Sequence, residues 1–122
     1  TDMHCPEWGQ SSRCGGSGDG SKGHGSGVAR GGGGAMCVGL AAARGGKIGA
    51  PKRHVVRYGG DGGLQMTLQG LGMIMEYNVG VKIVLLNNNF LGNVRQWQYL
   101  FFNGRYSATP MLNPEFGAVA AA

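Results

Sequence analysis

The run Val81-Lys82-Ile83-Val84-Leu85-Leu86 constrains this chain more than any other feature. Consecutive β-favouring residues with a single lysine among them are the pattern of a strand covered on both faces, the usual state in a parallel sheet. Parallel neighbours need a crossover connection, normally a helix. The residues before the run supply one. Val55 and Val56, within the segment His54 to Tyr58, read as a first strand ended by Gly59-Gly60. Leu64, Leu68, Leu71 and Met75 then recur at helical spacing, and Asn78 with Gly80 provides a stop. Gly70 and Gly72 each weaken that helix by roughly 1 kcal/mol relative to Ala, so packing must hold it. Beyond the run, a second helix begins near Leu91 with Val94, Trp97 and Phe101 on one side, and Asn113-Pro114 opens a last helical segment with an Ala-rich end. Strand, helix, strand, helix predicts an α/β fold, a parallel sheet flanked by helices.

The first third has a different character. Glycine contributes 26 of the 122 residues, and most of the excess precedes residue 64. Between Thr1 and Gly34, Met3, Trp8 and Val28 stand isolated among Gly, Ser and charged residues. Such a stretch cannot offset its ordering entropy by apolar burial and reads as a poorly ordered or degenerate segment, 1–34. The partial domain proper is then 35–122. It starts with AMCVGLAAARGGKI, a short helix closed by Ala50-Pro51.

Cys5, Cys14 and Cys37 are odd in number and show no CxxC spacing, so reduced thiols are expected rather than a disulfide framework or a zinc ribbon. His4, Cys5, Cys14 and His24 fit no metal-finger spacing. The net charge of +5 is spread from Arg13 to Arg105 without a dense block, which argues against a nucleic-acid tail or a membrane anchor and suits a small anion equally well. No segment approaches the ~20 apolar residues of a membrane span, and the start lacks a secretory pattern. A cytoplasmic setting is the expectation.

In open parallel sheets ligands collect at the carboxyl ends of strands, and both polar clusters lie at such ends. Gly60-Asp61-Gly62-Gly63 follows the first strand and opens a helix, so its backbone N–H groups can face a phosphate while Asp61 offers oxygen to a hard cation. Asn87-Asn88-Asn89 follows the second strand and offers neutral oxygens at the same edge. Mg²⁺ takes a few protein oxygens together with phosphate and water. Alone, the first cluster is an ordinary turn and the second a solvated loop. A helix and a strand between them return both to one edge, and that joint placement favours a site.

These residues carry a resemblance. GDGGLQMTLQ, EYNVGVKIVLLNNNFLGNVRQWQ, NGRYSAT and NPEF, ungapped from Pro51 to Phe116, closely resemble the carboxyl-terminal cofactor domain of the acetolactate synthase family, which are thiamine diphosphate enzymes. GDG with the asparagine pair is the general thiamine diphosphate signature, whereas LGNVRQWQ and NGRYSAT point to this family. The resemblance implies that Asp61, the Asn88 side chain and the Phe90 main-chain carbonyl hold Mg²⁺. It implies further that Gly62, Gly63, Asn89 and the Leu91-Gly92-Asn93 backbone lie against the diphosphate, with Val94 beside the cofactor. Trp97 would line the approach to the substrate; the competing reading is a core aromatic of the second helix.

Upstream, GGGGAMCVGLAAARGGKIGAP resembles the family's glycine-rich segment, with Gly34, Ala35 and Met36 at cofactor contacts, Ala41 in place of Pro and Gly33 in place of Leu. Gly9-Gln10 stands at the distance of the family's GQHQMW motif, whose other residues are replaced by Ser11, Ser12, Arg13 and Cys14. The implied activity joins two 2-oxo acids, pyruvate with pyruvate or 2-oxobutyrate, in branched-chain amino-acid biosynthesis. The implied catalytic glutamate lies on another domain of a neighbouring subunit, and none of Glu7, Glu76 or Glu115 corresponds to it. FAD binds a domain absent here, the parent enzyme is a homodimer or tetramer, and a regulatory subunit can accompany it. The fragment alone is then expected to be inactive, with an exposed docking face. Three alternatives stay open: another thiamine diphosphate decarboxylase or carboligase, an RNA-binding module built on ARGGGG and AARGGK, and a non-catalytic remnant.

Overall fold

A computed structural model describes residues 3–6 and 35–122 of the chain. Three strands, β1 (Met3–Pro6), β2 (Val55–Gly60) and β3 (Val81–Leu86), form one sheet in the order β1-β2-β3. Both pairings are parallel. Helix α1 (Val38–Gly49) precedes β2, and α2 (Asp61–Gln65) with α3 (Gly70–Glu76) connects β2 to β3. Helices α4 (Gly92–Phe101) and α5 (Phe116–Ala121) follow. The expected parallel α/β architecture is therefore what the chain adopts.

Within the segment 1–34, read as poorly ordered or degenerate, Met3–Pro6 forms the strand β1, and the rest of that segment lies outside the described residues. Met3 pairs with Val55 and Pro6 with Tyr58, the His4 and Tyr58 rings stack at 5.9 Å, and Cys5 is fully buried. Four residues suffice because they complete a neighbour already in place: β2 supplies the ladder, and Cys5 packs with Val55 and Ala43 as the core cluster. Single-chain patterning misses such a strand because its apolar content is too low to declare itself. Burial pushes the Cys5 thiol up, away from the thiolate form that a nucleophile or metal ligand needs. Among the described residues the cysteines are free and no group of His, Cys, Asp or Glu gathers as a metal site. Cys14, His24 and the glycine-rich motifs before Ala35 lie outside the described residues.

Helix α1 packs on β1 and β2 and touches α2 and α3. Gly39, Leu40 and Ala43 form its buried stripe, at helical spacing. Its carboxyl end is held by Lys47, whose Nζ donates to the Pro51 and Arg53 carbonyls at 2.8 Å each. A cation in the last turn suits the negative end of the helix, and its bonds to the two carbonyls beyond that end fix the approach to β2.

Two expectations for the crossover and β3 are corrected. The predicted single helix from Leu64 to Met75 is two, broken at Met66–Gln69. Thr67 Oγ1 donates to the Gly63 carbonyl at 2.9 Å, a local bond that competes with the helical ladder. Asn78 does stop α3, with a left-handed φ of 48°. The predicted two-sided burial of β3 is one-sided among the described residues: Val81, Ile83 and Leu85 are half-buried, whereas Lys82, Val84 and Leu86 are exposed. Among the described residues β3 is an edge strand, and none of the residues of α4 is buried. Leu100 and Phe101 are 60% and 70% exposed, so this helix carries large apolar side chains on the surface. No helix among the described residues is long and apolar enough to cross a membrane.

Candidate functional site

Strand register brings the two polar clusters together. Gly60 pairs with Leu86 as the last residues of β2 and β3, so Asp61 and Asn87 leave the sheet at the same level. Asp61 is 3% exposed at the first position of α2. Its Oδ1 accepts from the Gly62 N–H at 3.0 Å, and its Oδ2 accepts from the Asn89 N–H at 2.8 Å. A carboxylate bonded to the backbone of the opposite loop is the geometry expected when both clusters serve one site.

The loop can reach back because Asn89 takes a left-handed conformation with φ 60°, which asparagine tolerates better than most residues. Asn88 is exposed, and its Oδ1 accepts from the Phe90 N–H at 3.0 Å, an Asx-turn that fixes the amide oxygen beside the loop. Asp61, the Asn88 amide and the Phe90 carbonyl offer only oxygens, the donor chemistry that a hard divalent cation takes. The Arg95 guanidinium lies between the Phe90 and Tyr106 rings, 4.2 Å and 4.0 Å from their centroids, and braces the loop from the side of α4.

Gly62 lies in a tightly packed turn where a larger residue would have to displace its neighbours. A Cβ there would meet Met111 Sδ and Met36 Cε at 3.2 Å and Leu91 Cδ2 at 3.3 Å. Met36, expected from the resemblance, thus comes to the same turn. Ala35 is exposed beside it, and Gly34 lies outside the described residues. The Leu91 N–H is committed to the Thr109 carbonyl at 2.8 Å, so Leu91 faces Gly62 through its side chain rather than offering an amide. Gly92, Asn93 and Val94 form the first turn of α4, whose amino end has no side-chain cap. Its first-turn N–H groups therefore keep capacity for a ligand.

Trp97 is 60% exposed one turn further on, in an edge-to-face contact with Phe101. The core-aromatic reading does not hold among the described residues. Trp97→Ala is accordingly expected to change the unfolding free energy by less than about 1 kcal/mol, against about 3–5 kcal/mol for a core aromatic. Urea denaturation of both chains checks it, and a loss in the larger range would show that Trp97 is buried in solution.

Sequence reasoning missed Asn113 and the segment leading to it. Asn113 Nδ2 donates to Asp61 Oδ2 at 2.7 Å, and Asn87 Oδ1 and Asn89 Oδ1 lie within 3.0 Å and 3.1 Å of the same nitrogen. The contact with Asp61 spans 52 positions, so no local spacing could reveal it. Asn113 entered the sequence reading only as the opening of the last helical segment and as part of NPEF, in neither case with a role at the site.

A parallel sheet with an acidic turn and an asparagine loop meeting at its carboxyl edge has the build of a diphosphate-cofactor domain. Residues 9–122 match the thiamine pyrophosphate enzyme, C-terminal TPP binding domain, family, and the chain belongs to that family. It is 49% identical over 89 residues to an acetolactate synthase of Arthrospira platensis, covering 71% of this chain and 15% of that protein. It is 47% identical over 90 residues to the acetolactate synthase isozyme 2 large subunit of Escherichia coli, covering 73% and 16%. Its fold is similar to that of a solved thiamine diphosphate-dependent 4-hydroxybenzoylformate decarboxylase of Rhodococcus jostii, with TM-score 0.86 and 25% identity over 98% of this chain and 23% of that one. The chain thus spans about a seventh of the length of the curated relatives it matches.

Proposed function

We propose that this chain is the diphosphate- and Mg²⁺-holding part of an acetolactate synthase, which condenses pyruvate with a second 2-oxo acid. The observation that carries this reading is the Asp61 carboxylate bonded at 2.8 Å to the Asn89 amide of the asparagine loop, at the carboxyl edge of a sheet in a family that binds thiamine diphosphate. Asp61, Asn88 and the Phe90 carbonyl hold Mg²⁺; Gly62, Gly63, Asn89 and the first turn of α4 at Gly92 and Asn93 face the diphosphate. Met36, Leu91 and Val94 supply apolar contacts, with Gly34 and Ala35 beside them, and Trp97 lines the approach of the 2-oxo acid.

When bound, the cofactor supplies the electron sink that lets a 2-oxo acid lose CO₂ and attack a second one. The chain's own residues bind and orient it. Asp61 and Asn88 place the metal, the glycines admit the phosphates, and the apolar side chains exclude water. The acid–base step rests on a glutamate outside this chain, so these residues alone do not turn over substrate. The naming of relatives as large subunits supports a regulatory partner for the parent enzyme. Homo-oligomerisation, an FAD-holding domain, a cytoplasmic setting and a place in branched-chain amino-acid synthesis complete the reading.

Calorimetric titration of thiamine diphosphate into the chain tests it. Binding with Mg²⁺ that disappears with EDTA is the expected result. A folded chain that binds the cofactor equally with and without the metal overturns the metal assignment.

A further inference from the structure

The segment Thr109–Asn113 crosses the site as a strap. The Thr109 carbonyl accepts from the Leu91 N–H at 2.8 Å, Phe90 and Pro110 form an antiparallel bridge, and the Met111 N–H donates to the Asn89 carbonyl at 2.9 Å. Gln65 Nε2 donates to the Leu112 carbonyl at 3.1 Å, which ties the strap to α2. Met111 Sδ sits over Gly62. The strap ends at Asn113, whose amide nitrogen bonds the Asp61 carboxylate.

We propose that Asn113 is a positioning residue for the metal-holding carboxylate of Asp61; the proposal rests on the Mg²⁺ reading above. Asn113 Nδ2 has two hydrogens and three acceptors within 3.1 Å, on Asp61, Asn87 and Asn89. All three acceptors belong to the two clusters that must meet. The shortest contact, 2.7 Å, is to the ionised group, as charge assistance requires. The carboxylate also fixes which way the amide points, because the reverse orientation would set two oxygens against each other. Asn113 and the Asn89 amide together saturate Oδ2. The carboxylate plane is thereby held, and Oδ1, which takes only its neighbour's N–H among these bonds, is the oxygen left to face a cation. Groups that orient a ligand in this way typically change metal affinity by about 10–100-fold when removed.

The test compares the full chain with Asn113→Leu, which keeps the branching at Cγ and removes both donors. In Asn113→Leu the Mg²⁺ concentration needed for half-maximal thiamine diphosphate binding is expected to rise about 10–100-fold, while cofactor affinity at saturating Mg²⁺ stays near that of the unmodified chain. Without metal, hydrogen exchange at the Asn89 amide is expected to quicken at least ~10-fold as its acceptor loosens, while the β2–β3 amides keep their protection. An unchanged Mg²⁺ requirement would overturn the proposal. If the unmodified chain takes up no cofactor, the Mg²⁺ reading itself fails, and the exchange arm decides alone: equal Asn89 rates in both chains overturn the positioning role, and a faster variant supports it. Should Asn113→Leu not fold, Asn113→Ser, a smaller change that keeps one donor, is expected to shift both readouts in the same direction by less, and identity with the unmodified chain would again overturn it.

Discussion

Asp61→Ala is expected to abolish Mg²⁺-dependent binding of thiamine diphosphate and to lower the unfolding free energy by roughly 2–3 kcal/mol. The two effects have one origin. Asp61, itself 3% exposed, accepts from the Gly62 and Asn89 amides and from Asn113 at 3.0, 2.8 and 2.7 Å, so its removal takes the acceptor from the Gly62 amide and leaves Asn89 and Asn113 only their longer contacts within the asparagine loop. It also removes the one carboxylate of the donor set, leaving amide and carbonyl oxygens that compete poorly with water for Mg²⁺. Asp61→Asn separates the contributions. It keeps the volume and one acceptor, so it should regain part of the lost stability, yet without the charge it should bind no metal. Calorimetry with Mg²⁺ and with EDTA, beside urea melts of all three chains, reads both quantities. Wild-type Mg²⁺ dependence in Asp61→Ala would remove Asp61 from the metal site and leave it a structural carboxylate.

The legible part of this fold was whatever a short window encodes. The apolar run Val81 to Leu86 declared its strand, and Asn78 declared a stop by a conformation that the structure realises with φ 48°. Asp61 and the asparagine loop were legible jointly, because a helix and a strand between them fix the edge to which both return; strand register then set Gly60 opposite Leu86. What escaped depends on distance along the chain. β1 is four residues placed by pairing with β2 and by packing against α1, and Asn113 meets Asp61 only after the chain has doubled back along Thr109–Met111. The break at Met66–Gln69 escaped for a different reason. The period of Leu64, Leu68, Leu71 and Met75 survives it, while Thr67 spends its hydroxyl on the Gly63 carbonyl.

Glycines at positions 70 and 72 carry the same helix penalty in the sequence and are expected to respond in opposite directions to substitution. Gly72 is exposed, and a Cβ added there would meet nothing within 4 Å, so Gly72→Ala should recover the helix propensity and raise stability by up to about 1 kcal/mol. Gly70 is buried where α3 crosses α1. A Cβ there would lie 2.9 Å from Leu40 Cδ2 and 3.1 Å from Arg44 Nη1, which itself donates to the Gly70 carbonyl at 3.4 Å. Leu40 is 1% exposed, and close-packed interiors yield little to an added methyl group. Gly70→Ala therefore sets a gain of about 1 kcal/mol in propensity against an overpacking cost of about 1–3 kcal/mol, and Gly70→Val adds a second branch to the clash and gives up much of the gain. Thermal melts should rank the chains Gly72→Ala above wild type, Gly70→Ala at or below it, and Gly70→Val lowest. A Gly70→Val chain as stable as wild type would mean that α1 and α3 stand further apart in solution, and that the close approach is not what holds the broken crossover against the sheet.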